Sequence, residues 1–233
     1  MRLDKAISSQ GGISRSEVRK LAKKGRITVD GVVCKDPGQD VDPEQMEIVC
    51  DGVPLHYKAH LYLMLNKPLG VVSATEDRVH TTVLDLVPPE LFRAGLFPAG
   101  RLDADTTGFV LLTDDGALAH RLLAPKSHVW KTYRVTLADP VLEAAAQEIR
   151  QGITLADGTQ CLPAEVTLLG PCEAEVRLRE GKYHEIRRMF AATGNRVTAL
   201  VRTRFGGVPL DPDLAEGECR ELTETEVSDL ENG

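Results

Sequence analysis

Asp103 stands in the string Gly100-Arg101-Leu102-Asp103-Ala104-Asp105-Thr106-Thr107-Gly108, two residues after a cation and two before a second carboxylate. A carboxylate so placed can serve as nucleophile, general base or metal ligand, and its neighbours decide which. Turn formers flank it. Pro98 and Gly100 precede the motif, Thr106, Thr107 and Gly108 follow, and the apolar run Phe109 to Leu112 begins only afterwards. Asp103 is therefore expected on a loop leading into a strand, where functional side chains concentrate. Composition alone also admits a solvated turn rich in Asp, Thr and Gly.

The elements that must hold this loop are legible from periodicity and caps. Strands are expected at Leu61 to Leu65, Phe109 to Leu112, Thr132 to Leu137, Cys161 to Leu168, Glu173 to Leu178 and Val197 to Arg202. Helices are expected at Gly116 to Leu123, Val141 to Arg150, His184 to Thr193 and Glu224 to Leu230, the last opened by a Thr223/Glu226 capping box. Strands and helices do not alternate strictly, which favours an α+β fold with a mixed, mainly antiparallel sheet. Residues 1–58 read as a separate small domain and residues 59–233 as the catalytic domain, with Val53 to His60 as linker. In the first, Ser14-Arg15-Ser16-Glu17 is a capping box that starts a helix. Val18, Leu21 and Ala22 form its apolar face, Arg15, Arg19, Lys20, Lys23 and Lys24 cover the rest, and Gly25 stops it. Ile27 to Val33 turns at Asp30-Gly31 as a tight hairpin, and Glu47 to Cys50 reaches a second Asp-Gly at Asp51.

Two resemblances compete for the loop. Asp103-Ala104-Asp105-Thr106-Thr107 resembles the D-x-D-x-T motif of aspartyl phosphatases, but that motif needs a hydrophobic strand before its first Asp, and here the run follows. The longer string GRLDADTTGFVLLTDDG, Gly100 to Gly116, resembles the signature of the pseudouridine synthases over 17 consecutive residues. Three further segments resemble that family in the family's order. They are the turn Asn66-Lys67-Pro68-Leu69-Gly70, the strand Lys131-Thr132-Tyr133 and the basic helix Glu180-Gly181-Lys182-Tyr183-His184-Glu185-Ile186-Arg187-Arg188-Met189.

The resemblance implies a pocket into which a uridine is turned out of the RNA. Asp103 is then the catalytic carboxylate, attacking ribose C1′ or initiating proton removal at the sugar. Arg187 is its ion partner and Tyr133 stacks on the uracil. Arg101 fills the space left by the flipped base, Arg188 contacts RNA phosphate, and Lys67 shapes the pocket wall with an RNA contact of its own. Glu185 departs from the glutamine common at that place in relatives. No metal and no organic cofactor is implied. The N-terminal helices and hairpin, with Arg2-Leu3-Asp4-Lys5, resemble the ribosomal-protein-S4-like RNA-binding domain, in which Arg15, Arg19, Lys20, Lys23 and Lys24 would grip phosphates without reading sequence. An S4-like domain joined to this catalytic domain narrows the resemblance to the RsuA branch. The motifs favour uridine 516 of 16S rRNA, taken as small-subunit rRNA in an assembly intermediate and modified by a monomer. Large-subunit (23S) enzymes of this branch often carry basic tails, whereas this chain ends acidic. A binding protein with an inactive second domain is the other class, and the retained Asp103 speaks against it.

Charge is segregated although the net value is −7. Residues 1–35 hold nine Lys or Arg against three acids and residues 177–206 eight against two, whereas residues 208–233 hold nine acids against one base. Two basic patches on an acidic body suit directed RNA binding. No segment is long and apolar enough for a membrane span and Met1 to Gln10 lacks a signal-peptide core, so a cytoplasmic protein is expected. The five cysteines form no C-x-x-C pair and are read as reduced and structural.

Overall fold

In the computed structural model, which describes residues 1–124 and 129–232, two Asp-Gly pairs organise the N-terminal region. Asp30 and Gly31 have φ of 49° and 76°, and Asp51 and Gly52 have 55° and 83°. Two successive positive φ values are what a two-residue hairpin turn demands. They join β1 (Ile27–Val29) to β2 (Val32–Val33) and β3 (Ile48–Cys50) to β4 (Val53–Pro54), in a four-stranded sheet ordered β2-β1-β3-β4. The stretch read as linker therefore begins as a strand, because the second turn sends Val53 back onto Cys50.

Two helices cover this sheet, α1 (Leu3–Ser8) and α2 (Arg15–Lys23), the second opened by the Ser14/Glu17 capping box. Leu3, Ile7, Val18, Ala22, Ile27 and Ile48 pack as its core. Within it the Asp4 side chain is fully buried and takes ion pairs from Arg2 and Arg19, each at 3.1 Å. The chain divides into two compact units, Met1–Leu61 with Val87–Leu96, and Tyr62–Leu86 with Phe97–Gly233. The return of Val87–Leu96 to the first unit is fixed by Arg93, which donates to Gln10 and to the Lys58 carbonyl.

The second unit is built on a nine-stranded sheet. In chain order its elements are β5 (Tyr62–Lys67), β6 (Phe97–Pro98), β7 (Thr107–Thr113), α3 (Gly116–Leu123), β8 (Lys131–Leu137), α4 (Glu143–Gln151), β9 (Glu165–Gly170), β10 (Glu173–Leu178), α5 (Glu185–Ala192), β11 (Val197–Phe205), β12 (Val208–Pro209), β13 (Cys219–Glu221) and α6 (Glu224–Asp229). The order is β13-β5-β7-β11-β8-β10-β9, with β6 on β7 and β12 on β11. Every pair is antiparallel except β7 with β11. This is the mixed, mainly antiparallel α+β sheet expected.

The central strand β7 has Phe109 to Leu112 all buried, as a strand covered on both faces must. Phe109 meets Phe205 edge to face at 6.1 Å, and Leu118, Leu122 and Leu222 close the core over them. Gly108 is where β7 crosses β11: its φ is +97°, and a Cβ there would stand 2.4 Å from the Arg202 carbonyl oxygen. The parallel contact thus requires glycine one residue before the hydrophobic run.

Candidate active site

Asp103 lies in a turn held from below by the segment that follows β5. The Lys67 ammonium donates to the carbonyls of Pro68 (3.0 Å) and Ala104 (3.4 Å), and the Gly70 N–H donates to the same Ala104 carbonyl at 2.8 Å. Ser73 Oγ both donates to the Leu102 carbonyl and accepts the Leu102 N–H, each at 3.0 Å. The Thr106 N–H closes the turn on the Asp103 carbonyl. The Lys-Pro-x-Gly turn is therefore a clamp on the backbone either side of Asp103. Lys67 is fully buried, and burial pushes its ammonium down to about 8 against the pull of Asp105 and Asp103. The expected RNA contact of Lys67 is corrected accordingly, since its buried ammonium is turned into the turn, onto two backbone carbonyls, and is not part of the cleft lining.

The start of α5 faces this turn. His184, with φ of 48°, sits immediately before the helix, and its Nε2 lies 3.6 Å from Asp103 Oδ1. The exposed Tyr183 ring stacks on the His184 ring, centroids 4.0 Å apart. Arg187, one turn along, pairs with Asp105 at 3.1 Å and also donates to the Asp105 and Val197 carbonyls. The expected Arg187–Asp103 ion pair is thus corrected: the guanidinium is held by three acceptors of its own, and the imidazole takes the place beside Asp103. Arg187 ties α5 and β11 to the loop.

A cleft of about 390 Å³ opens over Asp103. Tyr133 from β8, Leu200 from β11 and Ile186 from α5 supply ring and apolar wall, and Arg101, Lys182 and His184 supply polar groups. The side chain of Asp103 is about one-third exposed to it. The structure therefore brings together Asp103, Tyr133 and Arg101 of the expected residues. Arg188 stands apart, its guanidinium on Asp157 at 2.6 Å and on the Tyr183 carbonyl, which leaves its expected phosphate contact already answered within the protein. In α2, Arg15, Lys20, Lys23 and Lys24 are exposed and make no ion pair among the described residues, whereas Arg19 is committed to Asp4.

In the cleft wall Glu185 is buried, 4% exposed. One oxygen accepts the Lys182 N–H and the other has no partner. Burial and the neighbouring Glu180 push its carboxyl up to about 7. Glu180 is held in the opposite direction, below the usual carboxylate range, by the neighbouring Glu185 side chain and by hydrogen bonds from Lys182 and the Leu162 N–H. Asp103, Asp105 and His184 have ligand-type atoms within 4.8 Å of one another, as do Cys161, Glu180 and Glu185. In each group a carboxylate is already bonded to a cation, Arg187 in the first and Lys182 in the second.

The sequence assigned no role to His184, Ser73 or Glu180. Only His184 carried a signal, its position three residues before Arg187 at the start of a basic helix.

Residues 61–192 match the RNA pseudouridylate synthase family, and residues 1–47 match the S4 domain. The chain belongs to the pseudouridine synthases and is an enzyme of that family, with an S4 domain ahead of its catalytic region. Over 97% of both chains it is 46% identical to the uncharacterized RNA pseudouridine synthase YtzG of Bacillus subtilis (strain 168). It is 43% identical to ribosomal small subunit pseudouridine synthase A of Escherichia coli (strain K12), covering 99% of this chain and all of that one. A crystal structure of a pseudouridylate synthase superposes with a TM-score of 0.70 at 40% identity, over 99% of both chains. Among the described residues no helix is long and apolar enough to cross a membrane.

Proposed function

We propose that this enzyme, working as a cytoplasmic monomer on a small-subunit assembly intermediate, converts uridine 516 of 16S rRNA to pseudouridine. The observation that carries the chemistry is one partly exposed carboxylate, Asp103, in a cleft with Tyr133 and an aliphatic wall. The relatives named for the small ribosomal subunit, similar over their whole length, support the choice of RNA.

The reaction breaks the bond from C1′ to N1 of uracil and forms one from C1′ to C5. The hydrogen on C5 leaves and N1 gains one, so nothing is consumed. Asp103 starts it at the sugar, and the clamp of Lys67, Gly70 and Ser73 holds that carboxylate without reorganisation. The freed uracil must turn without escaping, which the walls of Tyr133, Leu200 and Ile186 favour. Stacking on an aromatic ring is worth about 1–3 kcal/mol, which offsets much of the few kcal/mol needed to extrude a nucleotide. Arg101 fills the gap left in the RNA, and the exposed cations of α2 hold phosphates.

The test is a map of pseudouridines in ribosomal RNA from cells lacking the protein and from cells with it restored. A mark at position 516 of 16S rRNA that disappears and returns is expected. Loss of a mark in 23S rRNA, with 516 unchanged, would overturn the assignment of substrate.

A further inference from the structure

Next to the catalytic cleft lies a second cavity, of about 560 Å³, which shares Arg101, Tyr133 and Gly181 with it. One side is apolar, made by Leu122, Leu123 and Leu162. The other is cationic, made by Lys131, Arg179 and Arg202, and among the described residues the only acid on its lining is Glu180. Glu180 is spent elsewhere, on Lys182 and the Leu162 N–H. Among the described residues none of Arg101, Lys131, Arg179 and Arg202 forms an ion pair.

Arg202 is the telling member. It is 2% exposed, its Nε donates to the Phe109 carbonyl at 2.7 Å, and one terminal nitrogen is buried with no acceptor. Its guanidinium lies over the Phe205 ring at 5.1 Å, and the Lys131 ammonium lies over the same ring at 5.9 Å. Among the described residues the Lys131 ammonium has two carbonyls, of Val129 and Arg179, for its three protons. Buried charges in proteins are as a rule paired, and an orphaned guanidinium N–H is costly unless an acceptor arrives. Burial and the Arg202 charge together push Lys131 down to about 8, a strain that an anion would relieve. Arginine beside lysine is a donor set suited to phosphate oxygens.

We infer that this second cavity binds a phosphodiester of the substrate strand next to the uridine held in the catalytic cleft, with the leucine side against that nucleotide's apolar surface. The inference rests on the reading of the protein as an RNA-modifying enzyme. It adds a site that holds the strand in register while the target base is turned out. A strand whose uridine enters the cleft brings its neighbouring phosphates to the shared Tyr133 edge, where the cations wait.

The experiment uses the full chain and a 16S rRNA fragment containing uridine 516, with one linkage at a time made neutral as a methylphosphonate. Arg202 is too buried to replace safely, so Lys131→Gln and Arg179→Gln serve as probes. The expected result is one linkage beside the target whose neutralisation weakens binding to the parent protein at least about tenfold. The same change should cost each variant less than about twofold, because its charge partner is already gone. Equal losses for parent and variants at every linkage would overturn the inference. Turnover on the unmodified fragment is a separate readout: modification by the parent without coupling refutes the cavity alone, and no pseudouridine refutes the functional reading.

Discussion

Replacing Glu185 with glutamine should make the protein more stable at alkaline pH and leave it unchanged at acid pH. In the folded chain the Glu185 carboxyl is buried with one oxygen unpartnered, and its pKa is raised from 4.5 to about 7. Between those two values the folded state keeps a proton that the unfolded state has released. Stability therefore falls as pH rises through this window and stays lower above it. At 1.36 kcal/mol per unit the ceiling is about 3 kcal/mol. Glu180, shifted the opposite way, returns part of this as its charge is used by Lys182. A net gain of about 1–3 kcal/mol is thus expected for Glu185→Gln at pH 8, equivalent to roughly 2–12 °C in Tm for a unit of this size. Glutamine can still accept the Lys182 N–H and can donate to Glu180 without holding a charge. Thermal unfolding followed by circular dichroism at pH 5 and pH 8 is the assay. Coincident curves at pH 8, or a parent more stable than the variant there, would refute the reasoning.

Removing the exposed cations of α2, by Arg15→Gln, Lys20→Gln, Lys23→Gln and Lys24→Gln together, should weaken RNA binding and flatten its salt dependence by about 0.7 log unit per lost single-strand contact. Titrations at several salt concentrations measure the slope. Asp4→Ala strips Arg2 and Arg19 of their buried partner and should destabilise the first unit by about 1–3 kcal/mol, read in denaturant unfolding. Gly108→Ala forces a Cβ against the Arg202 carbonyl at a positive φ and should cost about 2–5 kcal/mol, read as a lowered midpoint of unfolding.

Much of this architecture was readable wherever a local rule decides the outcome. The Ser14/Glu17 and Thr223/Glu226 boxes start their helices, Asp30-Gly31 makes its hairpin, and Gly116–Leu123 is helical as its apolar spacing required. The misses are places where a distant partner decides. Strand β7 begins at Thr107 because parallel pairing with β11 recruits Thr107 and Gly108, a contact that no local pattern encodes. The strand expected from Cys161 begins only at Glu165, since the Cys161 N–H is taken by the Ile153 carbonyl. Strands β6, β12 and β13 are too short to show alternation. In the site, resemblance could name Asp103, Tyr133 and Arg187, but not which of two carboxylates two residues apart the arginine would choose. That choice depends on Val197, ten residues beyond Arg187, and on His184 already lying beside Asp103. For Lys67 the resemblance implied both a structural role in the turn and an RNA contact, and only the packed turn, with the ammonium turned inward to two carbonyls, separates the two.

Asp103→Asn is the most direct trial of the account. It removes the carboxylate's charge while keeping its size, in a turn whose backbone clamp does not use the side chain. Purified variant and parent are incubated with 16S rRNA fragments, pseudouridine is read by chemical marking and primer extension, and binding is measured in parallel. The account predicts no pseudouridine from the variant, with RNA affinity retained. Pseudouridine formed by the variant at the parent's rate would contradict it.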